Sequence, residues 1–226
     1  MPAVVTPLTE DEQFAEAPFR LLLERVYNAG SDGIYVCGQT GEGVLLPLSV
    51  RERVTEAAVE SSPAGKSVIV HIGSARTTDA ILLARHARKA GAHAVSSLPP
   101  AGMYSFAEYL NYYRRLADAS ELPLLVYLFP ELAPSLTSAE QLLELCEISN
   151  VAGLKFTDFD LFKMGRIRAR GNVVFNGRDE VLVAGLLMGA DGGIGTFYSL
   201  LPESFVRIYS LARAGKWAKR SKSGTR

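Results

Sequence analysis

Residues 122–156 read LPLLVYLFPELAPSLTSAEQLLELCEISNVAGLKF. Aliphatic residues crowd Leu122–Leu128 and again Val151–Phe156, as in strands that are buried on both faces. Between these runs Thr137 and Glu140 stand three apart, the spacing at which a hydroxyl caps a helix start and a glutamate reaches back to it. Strand, helix and strand in succession are the α/β signature.

The alternation extends outward in both directions. Further strand candidates are Ala3–Thr6, Gly33–Cys37, Ser67–Ile72, Ala92–Ser97, Asn172–Asn176 and Gly192–Phe197. Helical stretches between them place apolar residues three and four apart, as in Leu22, Leu23 and Val26 or Tyr109, Tyr112 and Leu116. Ser49 with Glu52 and Ser105 with Glu108 repeat the capping pattern. Gly30, Gly91, Gly171, Gly189 and Gly215 each follow a helical run, where a left-handed residue closes the helix at no steric cost to glycine. Eight strand runs alternating with helices over residues 1–215 predict one (β/α)8 TIM barrel and fit a doubly wound open sheet less well. No Gly-x-Gly-x-x-Gly follows the first run, which weighs against a dinucleotide site. Residues 216–226 hold five basic side chains and no acidic one, and are expected to form a solvated, disordered tail.

The 226 residues carry 24 basic and 24 acidic side chains and are 48% hydrophobic, the make-up of an ordinary globular chain. Zero formal charge provides no general attraction to nucleic acid or to anionic membranes. Apolar stretches such as Val181–Met188 fall well short of the roughly 20 residues that span a bilayer, and no secretory signal is visible. Cys37 and Cys146 are too far apart and too few for a disulfide framework, so a reducing, cytoplasmic setting is expected. His71, His86 and His93 are scattered, and no metal site is expected from them.

In a barrel the chemistry sits where strands end, at the C-terminal mouth. Lys155 lies there in Val151–Phe156, and period-two alternation puts it on the face of Val151 and Gly153, opposite Ala152, Leu154 and Phe156. A lysine aimed into the mouth would lose solvation, and its depressed pKa would supply a neutral amine that attacks carbonyls. The other reading of Lys155 is a residue that reaches solvent or pairs with Asp158 or Asp160. Tyr127, near the end of the neighbouring run, is placed to pass protons beside it, or else is a core tyrosine. The loop Gly38-Gln-Thr-Gly-Glu-Gly43 offers backbone N–H groups and the Thr40 hydroxyl to a carboxylate, although such loops are also common turns.

Four segments, in order at strand ends, resemble the pyruvate-dependent class I aldolases of the dihydrodipicolinate synthase and N-acetylneuraminate lyase superfamily. They are Gly38-Gln-Thr-Gly-Glu42, Tyr127–Pro130, Gly153-Leu-Lys-Phe-Thr157 and Gly189-Ala-Asp-Gly-Gly-Ile-Gly195. The resemblance covers about residues 3–215. It implies a TIM barrel, here without the family's C-terminal helical extension, whose absence would expose apolar surface or weaken assembly. It implies that Lys155 forms a Schiff base with pyruvate and that Tyr127 relays protons. Thr40 and Gly41 would hold the pyruvate carboxylate, with Gln39 at the position of the family's first hydroxyl residue.

Departures within the resemblance point to a branch. Leu132 stands where synthases that condense aspartate semialdehyde carry an arginine, and Tyr104 is out of register with their tyrosine pair. His71-Ile-Gly73, Thr157, Asn176-Gly-Arg-Asp-Glu180 and Thr196 are closer to the sialic acid lyase branch. By that resemblance Thr157, Asp179, Glu180 and Thr196 contact the substrate's polyol tail, although Asp179 and Glu180 would also suit a helix N-terminus. The expected activity is cleavage or formation of a 2-keto-3-deoxy sugar acid from pyruvate and an aldehyde, without metal or organic cofactor, in a homo-oligomer, dimer or tetramer. Alternatives are a condensing synthase, a keto-acid hydratase or dehydratase, and an inactive keto-acid binder. A phosphosugar barrel is disfavoured because Gly192 and Gly193 lie at the wrong end of their strand for a phosphate cradle.

Overall fold

In a computed structural model that describes residues 1–100, 102 and 104–217, seven parallel strands follow one another in chain order. They are β1 (Gly33–Val36), β2 (Ser67–His71), β3 (Ala94–Ser97), β4 (Leu124–Leu128), β5 (Val151–Phe156), β6 (Val173–Asn176) and β7 (Gly192–Gly193). Helix α1 (Glu16–Asn28) precedes β1. After the strands come, in turn, α2 (Leu48–Glu60), α3 (Thr77–Ala90), α4 (Phe106–Ser120), α5 (Ala139–Cys146), α6 (Leu161–Arg168), α7 (Leu182–Leu187) and α8 (Pro202–Arg213).

The N-terminal segment closes the barrel, though not as the strand Ala3–Thr6 that the sequence predicts. Ala3 N–H donates to Gly195 O at 2.9 Å on one side, while Pro2 O accepts from Tyr35 N–H at 2.9 Å on the other. Pro2 has no N–H and Thr6 turns its hydroxyl to Gly41 O at 2.8 Å, so pairing is confined to two isolated bridges. This closure removes both sheet edges and excludes the open, doubly wound alternative. The expected strand Gly192–Phe197 is also shorter. Ile194 N–H still bonds Asn176 O at 2.9 Å, but Ser199 N–H folds back onto Thr196 O at 3.1 Å. Other strands begin one or two residues late, at Ala94, Leu124 and Val173. Pro123 sits outside β4 because it can only accept, from Val95 N–H at 3.0 Å.

Ser105 and Glu108 form the predicted reciprocal cap on α4. The cap of α5 is one residue along from the expected pair: Ser138 and Gln141 make it, and Glu140 instead pairs with Arg166 at 2.7 Å. Ser49 and Glu52 do not cap α2, which starts at Leu48 behind Pro47. The predicted terminal glycines all adopt positive φ. No helix among the described residues is long and apolar enough to cross a membrane, and most of the expected basic tail, from residue 218 on, lies outside them.

Two apolar layers result. Outside the strands, Val36, Val70, Val126 and Leu154 meet Leu23, Val54, Leu83 and Leu142 from the helices, each such side chain contributing roughly 2 kcal/mol. Inside, Tyr35, Ile69, Leu125, Tyr127 and Ile194 fill the barrel. The predicted alternation of β5 fails at its start. The register jumps from Leu124 opposite Val151 to Leu125 opposite Gly153, so Val151 packs outside and Ala152 inside, the reverse of the simple count. Beyond that irregularity Leu154 and Phe156 face the helices and Lys155 faces the barrel interior.

Gly153 makes the irregularity with φ 150°, and a Cβ there would stand 1.9 Å from Val173 O. Gly153→Ala is therefore expected to lower the unfolding free energy by more than about 3 kcal/mol. Gly65 has φ 79° and nothing within 4 Å of an added methyl, so Gly65→Ala is expected to cost only about 1 kcal/mol. Urea denaturation of both variants beside the parent tests the ranking, and equal losses would contradict it.

Candidate active site

Lys155 on β5 lies directly opposite Tyr127 on β4 and Phe175 on β6. It is 5% exposed, with Nζ 3.6 Å from the centre of the Tyr127 ring and 4.6 Å from that of Tyr35. Burial lowers its pKa to about 7, against the smaller opposing pull of Asp179, so near neutral pH a large fraction is the free amine. Neither Asp158 nor Asp160 pairs with it. Both carboxylates turn to Lys163, at 2.7 and 3.8 Å, which leaves Lys155 to the mouth.

Tyr127 is buried with its ring stacked on Phe129 and set edge-on to Tyr35 and His71. Burial pushes its phenol well above the usual tyrosine range, so the hydroxyl holds its proton and is available as a hydrogen-bond donor. His71 is fixed in one neutral form. Its Nε2 accepts from Leu98 N–H at 3.1 Å, which leaves Nδ1–H to donate to Cys37 O at 3.0 Å. Burial, with Arg51 and Lys155 nearby, holds its pKa well below the usual histidine range. Arg51, itself buried, donates to His71 O at 2.7 Å and Gly73 O at 2.9 Å, clamping the end of β2.

Tyr35 and Arg51 are site components that the sequence reading passed over. The period-two count that located Lys155, applied to Gly33–Cys37, would have turned Tyr35 inward. Arg51 carried no comparable signal, because an arginine on an amphipathic helix ordinarily faces solvent.

Most of the predicted contacts converge on this mouth. Thr40 and Thr196 bond hydroxyl to hydroxyl at 2.6 Å, joining the loop after β1 to the turn after β7. Gly41 is buried beside Thr40, whereas Gln39 is exposed on the rim. Thr157 is buried at the end of β5, with its hydroxyl beside the Tyr127 phenol. Asp179 accepts from Phe197 N–H at 2.8 Å through Oδ2 and leaves Oδ1 buried without a partner. Gly195 makes room for it, since a Cβ there would stand 1.5 Å from that oxygen. Burial raises the Asp179 carboxyl, and Lys155 opposes the shift. Glu180 lies exposed beside it in a single 3-10 turn, Asp179–Val181, rather than at the start of an α-helix. Among the described residues no group of three or more His, Cys, Asp or Glu side chains is placed to hold a metal ion.

A buried lysine at the end of a barrel strand, with a tyrosine beside it and a hydroxyl pair across the mouth, matches a known arrangement. The sequence model of the dihydrodipicolinate synthetase family aligns with residues 1–225. The chain belongs to that family. Within it, an N-acetylneuraminate lyase of Rhizobium meliloti is 38% identical over 95% of this chain and 72% of the relative. One from Salmonella typhimurium is 35% identical over 97% of this chain and 75% of its own. The crystal structure of an N-acetylneuraminate lyase from Mycoplasma synoviae superposes with a TM-score of 0.87 at 31% identity, covering 95% of this chain and 74% of that one. These family members support both the barrel and the branch expected from the sequence.

The site generates two linked predictions. Lys155 loses proton affinity on folding, so the chain is destabilised fully below pH 7 and progressively less as pH rises toward the unfolded value of 10.5. Lys155→Met is therefore expected to stabilise the fold at pH 7 by about 4 kcal/mol and by little near pH 10.5; thermal unfolding across that range tests the slope. Asp179→Asn removes the charge that holds the ammonium and is expected to move the acid limb of the pH–rate profile downward. An upward move would contradict the assignment.

Proposed function

We propose that this chain is a Schiff-base-forming lyase that cleaves, or in reverse forms, a 2-keto-3-deoxy sugar acid, giving pyruvate and an aldehyde. The observation that carries the reading is Lys155 itself, a buried amine with pKa about 7, seated against Tyr127 at the C-terminal mouth of the barrel.

The chemistry follows from the geometry. Neutral Lys155 attacks the C2 ketone, and Tyr127 protonates the departing oxygen as the carbinolamine loses water. The resulting iminium nitrogen is the electron sink. When the C4 hydroxyl gives up its proton toward Tyr127, the C3–C4 bond breaks, its electron pair moves into the C3–C2–N system as an enamine, and C4 leaves as the aldehyde carbonyl. Protonation of C3 and hydrolysis by water then release pyruvate and regenerate the amine. The aromatic faces of Tyr127 and Tyr35 stabilise the cationic nitrogen during the steps in which it bears charge.

Thr40, Thr196 and the N–H groups around Gln39 and Gly41 are assigned to the keto-acid carboxylate. Thr157, Asp179 and Glu180 are assigned to hydroxyls of the sugar tail, which their positions just beyond β5 and β6 and the family resemblance favour. The iminium supplies the electron sink, so the cycle needs no metal and no organic cofactor. A homo-oligomer in the cytoplasm suits the exposed apolar rim of Val44, Leu45, Phe197 and Leu200 and the two free cysteines.

Borohydride reduction in the presence of pyruvate is expected to leave one adduct on Lys155, found by peptide mapping and absent in Lys155→Ala. Tyr127→Phe is expected to lower kcat by about 10²–10³-fold while pyruvate is still trapped. A folded parent chain that yields no adduct would overturn the reading.

A further inference from the structure

Arg178 and Glu131 form an ion pair across the top of the lysine strand. Glu131 follows β4 and Arg178 follows β6, with β5 and Lys155 between them in the sheet. The guanidinium lies 4.5 Å from the centre of the Phe159 ring and 5.2 Å from that of Phe129. Phe129 in turn stacks on Tyr127, so a continuous row leads from the reacting amine to the cation.

This is more than a surface ion pair. The Arg178 side chain is only 17% exposed, and its Nε is buried with no protein partner. Its backbone is also held, with Arg178 O accepting from the Asn176 side-chain amide at 2.6 Å. The adjacent residue, Asp179, is the carboxylate whose charge acts on Lys155. A planar guanidinium held between aromatic rings keeps its direction, with its Nη2 edge committed to Glu131.

We propose that the Arg178–Glu131 pair forms the far wall of the aldehyde subsite and selects an uncharged, hydroxylated tail over one ending in a carboxylate. This rests on the assignment of the aldehyde to the barrel mouth beside Lys155 and Asp179. Glu131, Asp179 and Glu180 outnumber the single guanidinium, so a second carboxylate on the substrate meets net negative charge while Glu131 occupies its natural counter-ion. Hydroxyl groups meet no such conflict, since they are uncharged and can donate to the exposed Glu131 carboxylate. Leu132, the neighbour of Glu131, supplies no cation of its own. Removing the Glu131 charge frees the guanidinium fork, the geometry best matched to a carboxylate. Rejection of an acidic tail therefore depends on one glutamate, an instance of specificity set by repulsion.

The probes are mannose and mannuronate, which differ only in a terminal CH2OH or carboxylate, each condensed with pyruvate. The parent is expected to favour mannose in kcat/KM. Glu131→Gln is expected to raise kcat/KM for mannuronate by about tenfold, and the gain is expected to vanish in the double variant Glu131→Gln/Arg178→Gln. A mannuronate-to-mannose ratio unchanged in Glu131→Gln, or a gain that survives the loss of Arg178, would overturn the proposal. Borohydride trapping of pyruvate involves no aldehyde and reports Lys155 separately. Should the parent trap no pyruvate, the lyase reading falls. Calorimetric binding of the two sugars to parent and Glu131→Gln then tests the pair alone: tighter mannuronate binding supports it and equal binding overturns it.

Discussion

Withdrawing one ammonium from water, between the rings of Tyr127 and Tyr35, is the constraint that the rest of the barrel serves. An isolated buried charge is costly enough that the group neutralises instead, and a neutral amine is what carbonyl chemistry requires. That environment exists only because the sheet closes on itself: an open sheet with the same strands would leave β5 accessible along one face. The residues that complete the closure contribute little chemistry. Pro2 and Ala3 make their contacts to Tyr35 and Gly195 through the backbone, yet they hold the inner layer in which Lys155 is desolvated.

Electrostatic balance around that amine is set by a few groups with distinct tasks. Asp179 resists the fall in the Lys155 pKa and so offsets part of the effect of burial. His71 is kept neutral by two backbone bonds and by the cations beside it, and therefore adds shape without adding charge. Arg51 is a buried cation, but its guanidinium is spent on the carbonyls of His71 and Gly73 and fixes the backbone rather than the substrate. The stability of the fold and the reactivity of the amine are thus opposed, as is common where function needs a desolvated group.

Much of this was legible in the sequence, for identifiable physical reasons. A charged residue at the end of an aliphatic run is conspicuous, and Tyr127 occupies the corresponding position on the adjacent run, so their pairing followed once parallel strands were assumed. Gly41 and Thr40 stood out as turn and hydroxyl residues whose roles the family resemblance supplied, whereas Thr196, expected from it at the polyol tail, is drawn to the carboxylate side by its bond to Thr40. The bulge at Gly153 was not legible, because a period-two count carries no signal for an inserted residue. The caps at Ser49 and Thr137 misled for a related reason. Capping patterns recur within a residue or two wherever Ser, Thr, Glu and Gln cluster, and tertiary contacts such as Glu140 with Arg166 decide among them. Tyr35 was within reach of the same strand logic, whereas Arg51 depended wholly on burial that a helix pattern does not reveal.

The hydroxyl bond between Thr40 and Thr196 joins residues 156 apart in the chain, one beyond the first strand of the sheet and the other beyond the last. That hydroxyl pair consequently forms late in synthesis: a growing chain has its lysine and tyrosine well before it has Thr196. On the proposed assignment, a keto acid held by both hydroxyls would bridge the two ends of the circle, and its binding energy would add to the free energy of closure by mass action. The substrate would then act as a clasp on the barrel, with opening at that seam and loss of ligand one event.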